Sequence, residues 1–235
     1  MKISLCLPCY QRPELLAFCL DSVLRQTHAD YEVILKDGCT IHPVLIEPIL
    51  ERRVTRLGRR LRYILSADGG IFPALNEALK NSTGELLYFL CSDDSLGDEE
   101  TLSSVAEAFK DLDLSQPHWL YGTTGGMDEE GRLIEYETAE FLTFDEYMRR
   151  RGGIGQPAVF WSRGMYEALG DFGTEYKHAA DYAYWVRCFR TAPPMFLPKV
   201  LGIGRKWPGC SSHIHAEEVE REAAHIQARY WKERP

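Results

Sequence analysis

Ile3-Ser4-Leu5-Cys6-Leu7 is a short apolar run that stops at Pro8, and over Glu14 to Arg25 the pattern changes, with Leu16, Leu20, Val23 and Leu24 at helical spacing. The first predicts a strand buried on both faces, the second a helix that lays one face on it. The alternation continues outward: strand Glu32 to Lys36, helix Pro43 to Arg56, strand Leu61 to Leu65, helix Phe72 to Asn81, strand Leu86 to Cys91 and helix Glu99 to Leu112. Strands separated by helix-length crossovers pair in parallel, so the sequence predicts an α/β fold, a mostly parallel, Rossmann-like sheet with helices on both faces. Beyond residue 118 the pattern loosens into short strands at Trp119 to Gly122 and Leu133 to Tyr136, a helix at Thr143 to Arg150, the Gly-rich Arg151 to Gly155 and a last helix at Glu217 to Lys232. We read a single domain, with a regular half over 1–118 and a mixed, irregular half over 119–235.

With 45% apolar residues the chain can fill one sizeable core, which excludes a disordered or fibrous protein. Its net charge of −8 gives no general attraction for nucleic acid. Six arginines between Arg52 and Arg62, and three at Arg149 to Arg151, still make local basic patches. The first cluster reads most simply as a solvated helix face and turn, and more sharply as a contact for anionic lipid headgroups or a lipid diphosphate. The longest apolar runs, Leu15 to Leu20 and Leu86 to Cys91, are six residues each, against roughly 18 to 20 for a bilayer span. Together with an apolar N-terminal segment that ends at Pro8, this predicts a cytoplasmic protein whose membrane contact would be peripheral, at the inner face. Val219, Ala223, Ile226 and Tyr230 share one face of the last helix, which suits its own core, a sister subunit in a homodimer, or a membrane surface.

Seven cysteines, odd in number and irregularly spaced, read as reduced thiols. Cys6-Leu7-Pro8-Cys9 has C-x-x-C spacing, but positions i and i+3 of a strand face opposite ways, so it does not read as a redox or metal pair.

Four carboxylates stand just after successive predicted strands: Asp37, Asp68, Asp93 and Asp94. In an open parallel sheet, ligands bind outside the carboxyl ends of the strands, so these acids gather around one crevice. Crowded carboxylates repel unless some are protonated, some cap helices, or a cation sits among them. Asp93 and Asp94 precede a helix, where acids suit the positive dipole end, and it is the company of Asp37 and Asp68 that favours a cation. Hard oxygen ligands suit Mg²⁺ or Mn²⁺ shared with a ligand's phosphates. Neither G-x-x-x-x-G-K-[ST] nor G-x-G-x-x-G occurs, which leaves a metal-bridged diphosphate rather than a glycine cradle.

Ser4 to Arg12, Lys36-Asp37-Gly38, Asp68 to Asn76, Gly84 to Asp94, and the stretch from Gln156-Pro157-Ala158-Val159-Phe160 through Gly170-Asp171-Phe172 to Ala180 to Arg187 resemble, in order, the motifs of family 2 glycosyltransferases. The resemblance implies an inverting enzyme of the GT-A fold, acting in polysaccharide assembly on a nucleoside diphosphate sugar, a UDP-sugar, and a glycan or lipid-linked acceptor. It implies that Asp37 contacts the nucleobase with the loop of Pro8, Tyr10 and Arg12, that Asp93 meets the ribose, and that Asp94 holds the cation, Mn²⁺ or Mg²⁺. Asp68 and Asn76 would line the nucleotide pocket. Gln156, Trp185 and Arg187 would serve the acceptor or sugar, and Asp181 would be the general base. On sequence alone Asp181 also reads as the N-cap of the helix that follows.

The chain departs from the family pattern at Ala183, where a second acid is frequent, at Gly155, where His is, and at Phe72-Pro73, where Tyr-Asp is usual. Arg205 to Ser211 resembles a segment that usually has His at Trp207, and an indole cannot ligate a metal, which leaves His213 and His215 as substitutes or as surface residues. Two other readings remain at this stage. A metal-dependent nucleotidyltransferase would want a glycine-rich basic loop after the first strand, and Pro8 to Arg12 has no glycine. A catalytically silent sugar-nucleotide-binding protein would have no need of both Asp94 and Asp181.

Overall fold

The computed structural model describes residues 1–136, 140–150 and 153–231, so Arg151 and Lys232 of the predicted segments lie outside the described residues. In chain order the elements of the first half are β1 (Ile3–Cys9), α1 (Pro13–Leu24), β2 (Tyr31–Asp37), α2 (Pro48–Leu57), β3 (Leu61–Leu65), α3 (Ile71–Lys80), β4 (Leu86–Phe89), β5 (Ser95–Leu96) and α4 (Thr101–Phe109). The second half adds β6 (Trp119–Met127), β7 (Leu133–Tyr136), α5 (Phe144–Arg150), β8 (Val159–Ser162), α6 (Arg163–Leu169), α7 (Ala180–Thr191), β9 (Met195–Arg205), α8 (Ser211–Ile214) and α9 (Ala216–Trp231).

All nine strands join one sheet in the order β3-β2-β1-β4-β8-β6-β9-β5, with β7 pairing on β6. β3, β2, β1 and β4 run parallel, as their crossover helices require. β8 then enters antiparallel to both β4 and β6, so the second half continues the same sheet in mixed sense. The crossover β3–α3–β4 passes to the far side of β1 from β2, which puts a topological switch between β1 and β4, where a crevice opens at their carboxyl ends.

Two apolar layers sandwich the sheet. One holds Leu16, Leu20 and Val23 of α1, Leu50 and Leu57 of α2 and Phe109 of α4 against Leu5 and Leu7; the other holds Phe72 and Leu75 of α3, Trp185 of α7 and Ile226 of α9 against Cys6 and Trp161. Cys6 and Cys9 therefore face opposite sides of the sheet, and burial pushes both thiols up to about 12. α9 packs its Ala223, Ile226 and Tyr230 face on its own core rather than leaving it open.

β1 runs through the stop predicted at Pro8, because Pro8 lies opposite Lys36 where the ladder with β4 has already ended at Cys6, and one flank is free of a partner strand. The predicted helix Pro43 to Arg56 divides into a 3₁₀ turn, Val44–Ile46, and α2, because Pro48 fixes a new helix start and holds Glu47 extended. β8 and β9 gave no strand signal. In β9 Pro198, Gly202 and Gly204 interrupt the apolar period, yet Gly202 serves a close approach, since a Cβ there would lie 1.8 Å from the Pro157 carbonyl.

Candidate active site

The crevice at the β1/β4 switch deepens into a cavity of about 1010 Å³ that reaches from the loops after β1 and β4 to α7 and α9. Of the candidate site residues, Pro8, Tyr10, Arg12, Asp68, Asp93, Asp94, Gln156, Asp181 and Trp185 line it; Asp37, Asn76 and Arg187 do not. After β1 the chain turns through Gln11 and Arg12 at φ 60° and 59°, a left-handed pair that non-glycine residues adopt only when surroundings enforce it, and Arg12 lies 5.1 Å from the Trp207 ring centroid.

Asp37 closes β2 fully buried. Its Oδ1 accepts from Cys39 N at 2.9 Å, and Oδ2 accepts from Val44 N and the Tyr63 hydroxyl, both at 2.7 Å. Through these bonds its carboxylate holds the loop after β2. Asp68 is held at the cavity by a residue the sequence did not flag: Lys36, fully buried, donates to Ser66 O at 2.7 Å and to Asp68 Oδ2 at 3.2 Å. Gly38 leaves the room for this, since a Cβ there would stand 2.2 Å from Asp68 Oδ2.

Asn76 faces away from the cavity and clamps Phe172, donating from Nδ2 to the carbonyl at 2.9 Å and accepting the amide at Oδ1, also 2.9 Å. Arg187 is likewise structural: it donates to the carbonyls of Leu169 and Asp171 and lies against Tyr184. Asn76→Ala leaves two buried backbone groups unpaired, so it should cost about 2–4 kcal/mol of unfolding free energy in a urea titration without changing donor affinity.

The loop after β4 brings Cys91, Asp93 and Asp94 together, with one ligand atom from each within 4.8 Å of the others. Asp94 is buried; its Oδ1 accepts the Arg205 amide at 3.0 Å, and burial, reinforced by Asp93, pushes its carboxyl well above the usual carboxylate range. Such a carboxylate ionises readily only with a cation beside it. The donor set is hard: burial pushes the Cys91 thiol up as well, and it donates to Gln156 Oε1 at 3.4 Å, which leaves two carboxylates suited to Mg²⁺ or Mn²⁺.

Among the described residues no histidine joins this group. The Trp207 indole donates to Asp93 Oδ2 at 3.2 Å, His213 is exposed, and His215 stacks on the cavity-lining His178 at 4.2 Å. Arg205, another residue missed in the sequence, secures the loop by donating to the Asp93 carbonyl at 3.0 Å and the Glu129 carbonyl at 2.7 Å.

Asp181, also on the cavity lining, sits in the first turn of α7, inside the helix rather than at its cap, and its Oδ1 accepts the Tyr182 amide at 2.8 Å. Ala179 occupies the cap position, and capping comes from afar: Glu222 of α9 accepts the amides of Lys177, His178 and Ala179 at 3.0, 2.9 and 2.9 Å. Burial would raise the Glu222 carboxyl, but these three donors hold it below its ordinary range. Burial pushes the Asp181 carboxyl up to about 6; the Tyr182 amide opposes this and Glu222 adds to it. Gln156 is anchored to the Phe89 carbonyl at 2.6 Å, while two buried donors on the cavity lining, Thr124 Oγ1 and the Trp185 indole N–H, have no hydrogen-bond partner among the described residues. Orphaned polar groups on a cavity wall are places for a ligand to bond.

A family profile described as Glycosyl transferase family 2 matches residues 4–166. Relatives in Mycobacterium bovis and Mycobacterium tuberculosis, described as PGL/p-HBAD biosynthesis glycosyltransferases, are 31% identical over 186 residues, covering 79% of this chain and 69% of theirs. Among solved structures, Staphylococcus aureus TarS 1-349 in complex with UDP-GlcNAc matches with a TM-score of 0.74 at 21% identity, over 96% of this chain and 66% of that one. The mannosyltransferase PcManGT of Pyrobaculum calidifontis, in complex with GDP-Man and Mn²⁺, matches with a TM-score of 0.68 at 15% identity, over 99% of this chain and 64% of that one. The chain thus spans about two thirds of the length of these proteins, and at such identity the two structures speak for the fold. With the profile matched over most of the chain, relatives above 30% identity and a sheet shared with TarS, the chain belongs to glycosyl transferase family 2 and is a glycosyltransferase with a fold like GT-A.

Proposed function

We propose that the protein transfers a sugar, with inversion, from a nucleoside diphosphate sugar to a hydroxyl of a glycan or lipid-linked acceptor. One observation carries this reading: a single cavity is lined by a hard carboxylate pair, Asp93 and Asp94, from the loop after β4 and by a carboxylate raised to about 6, Asp181, from α7. The split suits a displacement at an anomeric carbon, in which a diphosphate leaves on one side while a hydroxyl loses its proton on the other. Asp94 and Asp93 would hold a divalent cation, which when bound stabilises the charge that develops on the leaving diphosphate. Arg12, stacked near Trp207, supplies positive charge at the same rim.

Asp181 takes the acceptor proton at Oδ2, since Oδ1 is occupied by the Tyr182 amide. A base raised to about 6 is ionised at neutral pH yet basic enough to accept a proton in the transition state. Ile154, Tyr182 and Trp185, all buried, line the same cavity.

The donor base is proposed as uracil; TarS binds UDP-GlcNAc and PcManGT binds GDP-Man, so the choice is an experimental one. Ligand at 100 times its dissociation constant adds about 2.7 kcal/mol to the native state. Thermal unfolding with UDP and Mn²⁺ together should therefore shift upward by roughly 5–10 °C, with much smaller shifts for either alone. A larger shift with GDP or dTDP would move the donor assignment; no shift with any nucleotide would remove the donor site.

A further inference from the structure

The segment after β2 leaves the sheet at the carboxyl edge of the parallel strands, the edge on which the cavity opens. It carries Ile41 and Ile46, 83% and 67% exposed, and Ile49 in the first turn of α2 is 44% exposed. These isoleucines do not anchor the helix: Leu50, Leu57 and Val54 on its other face do. Ile49, Arg52 and Arg56 fall at i, i+3 and i+7, hence on one helix face, and Arg59 prolongs it in the 3₁₀ turn that follows. The structure divides the arginine cluster. Arg53 is bound to Asp21 at 3.0 and 2.5 Å, Arg60 lies 4.5 Å from the Tyr31 ring centroid, and Arg62 donates to the Asn81 carbonyl at 2.9 Å. Arg52, Arg56 and Arg59 are exposed and make no ion pair among the described residues. Glu47 and Glu51 leave this segment strongly basic in a chain of net charge −8.

We propose that this face docks the protein on an anionic lipid bilayer, with Ile41, Ile46 and Ile49 entering the interfacial layer and Arg52, Arg56 and Arg59 meeting lipid phosphates. Apolar side chains this exposed gain by leaving water, and the arginines beside them supply the complementary charge. A bilayer of that charge repels the acidic remainder of the surface, so the same charge distribution that binds also orients. Tyr10 and Ile71, exposed at the cavity rim on the same sheet edge, would come to face the membrane. This docking stands independently of the reaction proposed above.

The test is sedimentation with vesicles of phosphatidylcholine alone or mixed with phosphatidylglycerol, at low and raised salt. The protein should partition onto the mixed vesicles and release as salt rises. Arg52→Gln/Arg56→Gln/Arg59→Gln should weaken that partition by roughly 10²-fold, about fivefold per arginine. Ile41→Ser/Ile46→Ser should weaken it as well, and the triple Arg→Lys variant should keep it. Because every substituted side chain is exposed, the unfolding temperature and the UDP-induced shift should stay as in the wild type, which separates this result from any failure of the donor site. Equal binding to neutral vesicles, or a triple Gln variant that binds like the wild type, would overturn the proposal. So would a wild-type dimer that the Ile41→Ser/Ile46→Ser variant breaks without any vesicle binding, since the face would then belong to a second copy.

Discussion

Asp181→Asn should lower sugar transfer by roughly 10² to 10⁴ while donor affinity stays where it is. Asparagine keeps an Oδ1 acceptor for the Tyr182 amide, so the first turn of α7 is undisturbed, and only the ability to accept a proton is lost. Stability gives a second readout of opposite sign. The native carboxyl is raised from 3.8 to about 6, so the native state binds a proton more tightly than the unfolded chain. The stability this confers is full below about 4 and disappears as pH rises through about 6. The neutral variant escapes that loss, and above pH 6 it should be more stable than the wild type by up to about 3 kcal/mol. In the wild type, transfer should rise about tenfold per pH unit below 6 and then level off. Unchanged transfer would remove Asp181 from the reaction, and equal loss of donor affinity and rate would move it to the nucleotide side.

The second large effect is expected for Asp94→Asn. Alanine would orphan the Arg205 amide that bonds Oδ1 at 3.0 Å, so its effect would mix folding with function, whereas asparagine retains that acceptor and removes the charge. The variant should lose the metal-dependent part of the UDP-induced shift, and its transfer rate should fall by roughly 10²–10³, the usual consequence of losing one preorganised electrostatic stabiliser. Without ligand it should melt no lower than the wild type, because a buried carboxylate crowded by Asp93 is removed. A much lower apo melting temperature would assign Asp94 to holding the β4 loop against β9.

The regular half of the fold is legible because β1 to β4 are short, mostly apolar segments each followed by helical spacing, and the parallel order then forces the crevice. β9 is not, since a strand that carries Pro198, Gly202 and Gly204 is held by its neighbours and not by its own period. At the site, motif position located the cavity wall but not the direction of each side chain. Asp93, Asp94 and Asp181 line the cavity, while Asn76 and Arg187, in motifs equally well matched, turn to the backbone of Phe172, Leu169 and Asp171. Lys36, Arg205 and Glu222 carry no readable role in the sequence for one physical reason: most of their partners are carbonyls, amides or carboxylates brought near by the finished tertiary fold, and Lys, Arg or Glu has no local signature of that.

Glu222 carries a consequence for assembly. Its carboxylate grips three successive amides just ahead of Asp181 from a helix some forty residues downstream. In chain order α9 follows every strand of the sheet. The amides before Asp181 have no anchor until that late helix arrives and docks. The turn that presents Asp181 is therefore tied to the end of the fold, and cutting α9 away should loosen it before it disturbs the parallel half of the sheet.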